Sequence, residues 1–128
     1  MLSVGIKGEG RLTVTKDVLA SVVGSGTLPV FATPAMALLV EQTACRSLMQ
    51  HLDSGKGTVG VRLDISHSAP SIEGAEVVCR TEVVEIDRTR VVFSVEVSDG
   101  AGQVGLGTHE RFVVDDERFM KKALERRP

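Results

Sequence analysis

Residues 31–53 read FATPAMALLVEQTACRSLMQHLD, and this long, mainly apolar stretch decides the fold. Thr33 followed by Pro34 is typical of a helix start, with Thr as the N-cap and Pro in the first turn. The pattern predicts a helix from Pro34 to about Asp53, ended by the SGKG turn at 54–57. As an N-cap, the Thr33 hydroxyl is expected to accept a hydrogen bond from a backbone N–H in the first turn.

Glu41 places a carboxylate inside the apolar part of this helix. Its neighbours three, four and seven residues away are Pro34, Ala37, Leu38, Ala44, Cys45 and Leu48. The polar residues Gln42, Arg46, Gln50 and Asp53 point elsewhere. We therefore expect Glu41 to point at the core. An ionised carboxylate there is costly unless it is paired, hydrogen-bonded or protonated, so Glu41 is a candidate for chemistry.

Residues 58–114 are typical of β-strands. Alternation predicts that Val59, Val61, Leu63 and Ile65 face the core, with His67 continuing the same face. Further strands are predicted at 4–14, 76–86, 91–98 and 104–114, with turns at 87–89 and 99–102 and a charged helix at 115–127. One long helix followed by strands joined by hairpins predicts an α+β fold, with the helix packed on one face of an antiparallel sheet.

The composition limits the classes of function that the protein can have. A chain of 128 residues suits one domain, 1–128, and a net charge of -2 without a basic, aromatic patch argues against nucleic-acid binding. No apolar run is long enough to span a membrane and no signal peptide is recognisable, so we expect a cytoplasmic protein. Cys45 and Cys79 are expected to be free thiols. No ligand motif predicts a metal, and no glycine-rich loop predicts a cofactor.

Three residues accompany Glu41 as candidates. His67, at the end of a strand, either lies at the edge of the core with its hydrogen bonds made to backbone groups or is a partner of Glu41. Thr33 is either a simple cap or a donor to an oxyanion, and eight residues of helix, about 12 Å, separate it from Glu41. Gly60 marks either a bulge or the close approach of a ligand, to which its N–H would donate.

The run Thr108–Arg111 is polar within the last predicted strand. By alternation Thr108 and Glu110 share a face with Val104, Leu106 and Phe112. We therefore expect one of the two to reach the core, as part of an internal ion pair.

Several segments together resemble the fluoroacetyl-CoA thioesterase-like hotdog proteins. These segments are 30–36, 41–46, 57–60, His67 and 107–111. The resemblance implies a hotdog fold, in which an antiparallel sheet wraps a long helix, and a homodimer with active sites at the subunit interface. It also implies hydrolysis of an acyl-CoA thioester, with Thr33, Glu41, His67 and Gly60 at the family's functional positions.

Residues 22–29, VVGSGTLP, depart from the family because they contain no Phe where the fluoroacetyl-CoA thioesterase has a Phe-containing lid. The resemblance therefore implies thioester hydrolysis without implying fluoroacetyl selectivity. Glu41 would be the general base or the nucleophile, and His67 would assist. A hotdog hydratase or dehydratase and a non-catalytic acyl-CoA-binding dimer remain alternatives, and dimers could pair into tetramers. The candidates for the CoA phosphates are Arg62, Arg80, Arg88 and Arg90.

Overall fold

The computed structural model describes residues 1–128, and it has the predicted α+β architecture. The elements in chain order are β1 Lys7–Thr13, a 3-10 turn Lys16–Val18, α1 Ala20–Val23, α2 Thr33–Met49, β2 Lys56–His67, β3 Glu76–Asp87, β4 Arg90–Asp99, β5 Gly102–Asp115 and α3 Asp116–Glu125. Both cysteines are free, as predicted. None of the helices is long and apolar enough to cross a membrane.

The five strands form one antiparallel sheet in the order β1-β3-β4-β5-β2. Tight turns join β3 to β4 and β4 to β5, as the turn signals predicted. Arg88 takes a φ of 57° in the first turn, and Asp99 Oδ1 accepts a 2.8 Å hydrogen bond from Ala101 N in the second. Strand β2 follows α2 in the chain and pairs only with β5, so its outer edge is open.

Helix α2 packs on one face of this sheet, and its buried side chains form the core together with the strands. The buried residues of α2 are Met36, Leu39, Val40, Thr43, Ala44 and Leu48. The helix ends at Met49, earlier than the predicted Asp53. The N-cap is Ala32, and Thr33 is the first helical residue, so the prediction of Thr33 as N-cap is wrong. The Thr33 hydroxyl is instead bonded to His67, a tertiary partner that local sequence cannot show.

A β-bulge interrupts β2, and it corrects the predicted alternation. Gly60 pairs with Arg111 and Arg62 pairs with Glu110, so Val61 is the extra residue, and it is 53% exposed. The bulge reverses the faces of the strand before it. Gly60 therefore shares the helix-facing side with Leu63 and His67, and Val59 and Val61 do not have the predicted core positions.

A second bulge, at Val104, changes the faces of β5. Val97 pairs with Gly105 and Ser98 pairs with Gln103, so Val104 is skipped in the ladder. Consequently Thr108 and Glu110 face away from α2, and the expectation that one of them reaches the core is wrong. His109 and Arg111 are the buried residues of this run. Glu110 does form an ion pair, with Arg90 at 2.8 Å, but on the outer face.

Candidate active site

Glu41 lies beside the open edge of the sheet rather than in the core. Its side chain is 47% exposed, and Leu38, one turn earlier, is 56% exposed. The expectation that Glu41 points into the core is therefore wrong: α2 has a second apolar stripe, which remains open in the single chain. An open pocket of about 370 Å³ lies on this stripe and is lined by Leu38, Glu41, Gln42, Cys45, Arg46 and Arg111.

Arg111 is the charged partner of Glu41. Its Nη1 lies 3.5 Å from Glu41 Oε2, and its side chain is only 7% exposed. The guanidinium also donates to Thr58 Oγ1 at 3.0 Å and to the Thr58 carbonyl at 3.1 Å. A buried guanidinium held by several acceptors places a fixed positive charge beside the Glu41 side chain. The hypothesis that His67 pairs with Glu41 does not hold within one chain.

Gly60 brings the β2 backbone against the Glu41 carboxylate. A methyl group on Gly60 would overlap Glu41 Oε2, and it would lie 3.2 Å from Arg111 Nη1. The interpretation of this glycine as part of a bulge is therefore confirmed, whereas the close approach of a ligand stays a prediction, since the group found beside Gly60 is the Glu41 side chain. A side chain at this position would displace the carboxylate from its place beside the strand.

His67 and Thr33 form a second cluster. Thr33 Oγ1 and His67 Nδ1 are 2.8 Å apart, and the His67 Nε2 atom is buried without a hydrogen-bond partner in the chain. Phe31 packs edge-on to the imidazole, with the ring centroids 6.1 Å apart. Burial lowers the pKa of His67 below its ordinary 6.5. The imidazole is therefore neutral near pH 7 and able to accept a proton.

This cluster opens onto a groove of about 310 Å³. The lining residues are Ala20, Ser25, Val30, Phe31, Thr33, His67, Ser68, Ala69 and Pro70. The segment without Phe, 22–29, runs beside the groove, where Gly24 takes a φ of 93° and Ser25 contributes to the wall. This segment contains no aromatic residue that could cover the groove, and its Val22 and Leu28 side chains are exposed.

The four candidate residues thus come together as two pairs, Glu41 with Gly60 and Thr33 with His67. The helix that carries Thr33 and Glu41 separates the pairs by about 12 Å of rise. Within one chain the groups of one pair do not touch those of the other.

Two functional candidates were missed in the sequence, His109 and Arg111. His109 is 1% exposed and stacks on Phe93. Its Nε2 atom lies 3.2 Å from Arg111 Nη1. The polar run 108–111 was the signal, but the bulge at Val104 decides which of its residues face α2. No local pattern in the sequence predicts that bulge.

Comparison with known proteins agrees with this architecture. The family model described as fluoroacetyl-CoA-specific thioesterase matches residues 14–117. The fluoroacetyl-CoA thioesterase of Streptantibioticus cattleyicolor is 32% identical over 99 residues, which cover 77% of this chain and 71% of that protein.

Solved structures extend the similarity to the whole chain. A structure of the fluoroacetyl-CoA thioesterase FlK has a TM-score of 0.91 at 27% identity, covering 100% of this chain and 99% of that one. A FlK threonine-to-serine variant in complex with acetyl-CoA has a TM-score of 0.92 at 26% identity, covering 99% and 100%. A hot-dog-like protein from Thermanaerovibrio acidaminovorans has a TM-score of 0.91 at 27% identity, covering 99% and 94%.

A long helix on one face of a curled antiparallel five-stranded sheet defines the chain as a hotdog protein, which confirms the fold class expected from the resemblance. The chain belongs to the fluoroacetyl-CoA-specific thioesterase family. It is accordingly a thioester hydrolase.

Proposed function

We propose that the protein is a homodimeric acyl-CoA thioesterase that hydrolyses a small acyl-CoA to the free acid and CoA. The observation that carries the proposal is the Glu41 carboxylate, open to a pocket, held beside a buried guanidinium and a glycine backbone. The similarity to a fluoroacetyl-CoA thioesterase, and to a variant of it that binds acetyl-CoA, supports a small acyl group.

Glu41 performs the first step in one of two ways. As a general base it takes a proton from water, and the resulting hydroxide attacks the thioester carbonyl. As a nucleophile it attacks the carbonyl directly and expels the CoA thiolate, leaving an acyl anhydride on Glu41 that water then cleaves. In either case the Gly60 N–H donates to the developing oxyanion, a contribution worth roughly a hundred- to thousandfold in rate.

His67 handles the remaining proton. The imidazole is neutral near pH 7, so it relays a proton to the CoA thiolate: from the Glu41 carboxyl when Glu41 is the general base, and from the water that cleaves the anhydride when Glu41 is the nucleophile. The Thr33 hydroxyl holds its Nδ1 atom and so fixes the orientation of the ring, which leaves the buried Nε2 without a hydrogen-bond partner in the chain.

A second copy of the chain completes the site. The outer edge of β2 is unpaired over Lys56–His67 and is flanked by the exposed side chains of Val61 and Leu38. An open edge of this length is a template for pairing with another strand. Antiparallel pairing of two β2 strands about a two-fold axis near Leu63 places the Gly60 end of one chain opposite the His67 end of the other. Glu41 and Gly60 of one chain then meet Thr33 and His67 of its partner.

The CoA phosphates need free cations. Of the four arginines proposed from the sequence, Arg80, Arg88 and Arg90 each have a carboxylate partner, at 3.3, 3.6 and 2.8 Å. Arg62 has none, and Arg46, not among the four, lines the Glu41 pocket. We therefore assign the phosphates to Arg62 and Arg46. The cytoplasmic location and the absence of a cofactor stay predictions.

The primary test is thiol release from a series of acyl-CoAs of increasing chain length. We expect turnover with short acyl groups and saturation kinetics. Saturable binding without thiol release would favour the non-catalytic dimer, and a change in 2,3-enoyl absorbance without thiol release would favour the hydratase or dehydratase. Either result contradicts the proposal.

Mixing two inactive variants tests the shared site. Chains with Glu41→Ala and chains with His67→Ala are each expected to be inactive. A heterodimer of the two contains one intact site, so a random mixture should recover about a quarter of the wild-type activity. No recovery, with heterodimers shown by native mass spectrometry, would place both groups of a working site in one chain.

A further inference from the structure

Two buried side chains of β5 hold the bulged part of β2 from both sides. Arg111 donates to the Thr58 carbonyl at 3.1 Å and to Thr58 Oγ1 at 3.0 Å, so it binds the strand two residues before Gly60. His109 Nδ1 lies 2.8 Å from the Arg62 carbonyl, two residues after Gly60. Gly60 is therefore fixed between two anchor points, and we call these two side chains the bulge clamp.

The hydrogen bonds of the bulge clamp define the protonation state of His109. Arg111 Nη1 lies 3.2 Å from His109 Nε2, and a guanidinium only donates, so Nε2 is the acceptor. Nδ1 faces a carbonyl oxygen and must donate, so the imidazole is neutral with its proton on Nδ1. A second proton, on Nε2, would set two donors and two positive charges against each other.

We propose that His109 is a positioning residue of this thioesterase: as a neutral imidazole it locks Arg111 and the Gly60 bulge into one arrangement. The bulge clamp thereby sets the separation between the Glu41 carboxylate and the Gly60 N–H. His109 acts through Arg111 and the β2 backbone, without touching the substrate. The inference rests on the function proposed above, in which these two groups serve one reaction. A displacement of about 1 Å in such an arrangement can cost roughly a hundredfold in rate.

The surroundings of His109 predict how the bulge clamp responds to pH. The charged groups on its own side of the sheet are Arg111 from β5 and Glu41 from α2; Glu110 acts on it from the outer face, and Arg62 of β2 meets it through the backbone carbonyl. Burial is the largest effect and lowers the pKa of His109 below its ordinary 6.5; Arg111 acts in the same direction, while the Arg62 carbonyl and the two carboxylates oppose it. The hydrogen bonds of the bulge clamp are therefore formed near pH 7. They break as the pH falls through the lowered pKa of His109, so turnover should fall on the acid side.

Two substitutions in the full-length protein separate positioning from packing. His109→Phe keeps an aromatic ring against Phe93 but removes both hydrogen bonds, and we expect kcat to fall roughly ten- to hundredfold with KM changed by less than about threefold. His109→Gln keeps an acceptor for Arg111 and does not titrate, so it should retain more kcat and shift the acid limb of the pH profile to lower pH. His51→Gln, at the far end of α2, is the control and should change neither.

Wild-type kcat in His109→Phe, or a kcat in His109→Gln no higher than in His109→Phe, overturns the proposal, because the acid limb alone can also be set by His67. If His109→Phe does not fold, the nitrogen NMR measurement below decides alone. If the unmodified protein hydrolyses no acyl-CoA, the proposed function fails, and nitrogen NMR of the imidazole still decides the bulge clamp. A neutral Nδ1–H tautomer at pH 7 and a shifted Gly60 amide signal in His109→Gln support it, whereas an Nε2–H tautomer or an unmoved amide overturns it.

Discussion

The Glu41 pocket and the Thr33–His67 groove both lie along α2, but they hold their polar groups in different ways. Glu41 is half exposed and is balanced by a fixed cation, since Arg111 lies 3.5 Å away. His67 has no charged partner, and burial lowers its pKa so that the ring is neutral. One region places a carboxylate beside a fixed cation, and the other keeps a buried imidazole neutral.

This difference suits a reaction that needs an anion and a proton acceptor at the same pH. Since the two regions belong to opposite ends of β2, each can be tuned by its own neighbours. The comparison also predicts which substitutions are severe: those that remove or displace the charge of the first region should cost more than those that loosen the second.

The largest effect is expected for Glu41→Gln. The amide has nearly the same shape but neither accepts a proton nor attacks a thioester, so kcat should fall roughly a thousandfold or more. Thiol release under substrate saturation measures this, and circular dichroism checks that the variant is folded. Glu73→Gln, at an exposed position, is the matched control. Near-normal turnover in Glu41→Gln would remove Glu41 from the chemistry.

Gly60→Ala should have the second-largest effect. The added methyl group would overlap Glu41 Oε2, so the carboxylate must move away from the strand and from Arg111. We expect kcat to fall roughly a hundredfold. Gly100→Ala is the control, because a methyl group there would meet open space. If both alanine variants behave alike, the close approach at Gly60 has no functional role.

A smaller effect is expected for Thr33→Val, which belongs to the second region. The change removes the 2.8 Å hydrogen bond to His67 while keeping the shape of the side chain, and kcat should fall roughly tenfold. Thr33→Ser keeps a hydroxyl and should restore most of the loss. A valine variant with full activity would show that His67 needs no orientation by Thr33.

The smallest effect is expected in the pH dependence of the free energy of unfolding. Burial lowers the pKa of both His67 and His109 below the ordinary 6.5, so the unfolded chain binds protons first as the pH falls. This part of the stability is fully present above pH 6.5 and is lost progressively below it, down to the lowered pKa values. Urea unfolding at pH 7.5 and 5.5 measures the loss. His67→Gln and His109→Gln should each reduce it, whereas His51→Gln should not.

The fold followed largely from local patterns in the sequence. Helix α2, the turns after β3 and β4, and the succession of strands and helices along the chain were all predicted, because apolar periodicity and turn residues report on neighbours in the chain. The two bulges in β2 and β5 were not predicted, because a bulge is defined by the partner strand. For that reason the faces assigned to Val61, Thr108 and Glu110 were wrong.

The sequence by itself determined which residue types were available: a carboxylate on an apolar stripe, a histidine at a strand end and a glycine within a strand. Only the tertiary structure decided their partners, since it placed Arg111 beside Glu41 and Thr33 beside His67. The physical reason is that side-chain pairing across strands depends on register, and one extra residue at a bulge exchanges the two faces of a strand.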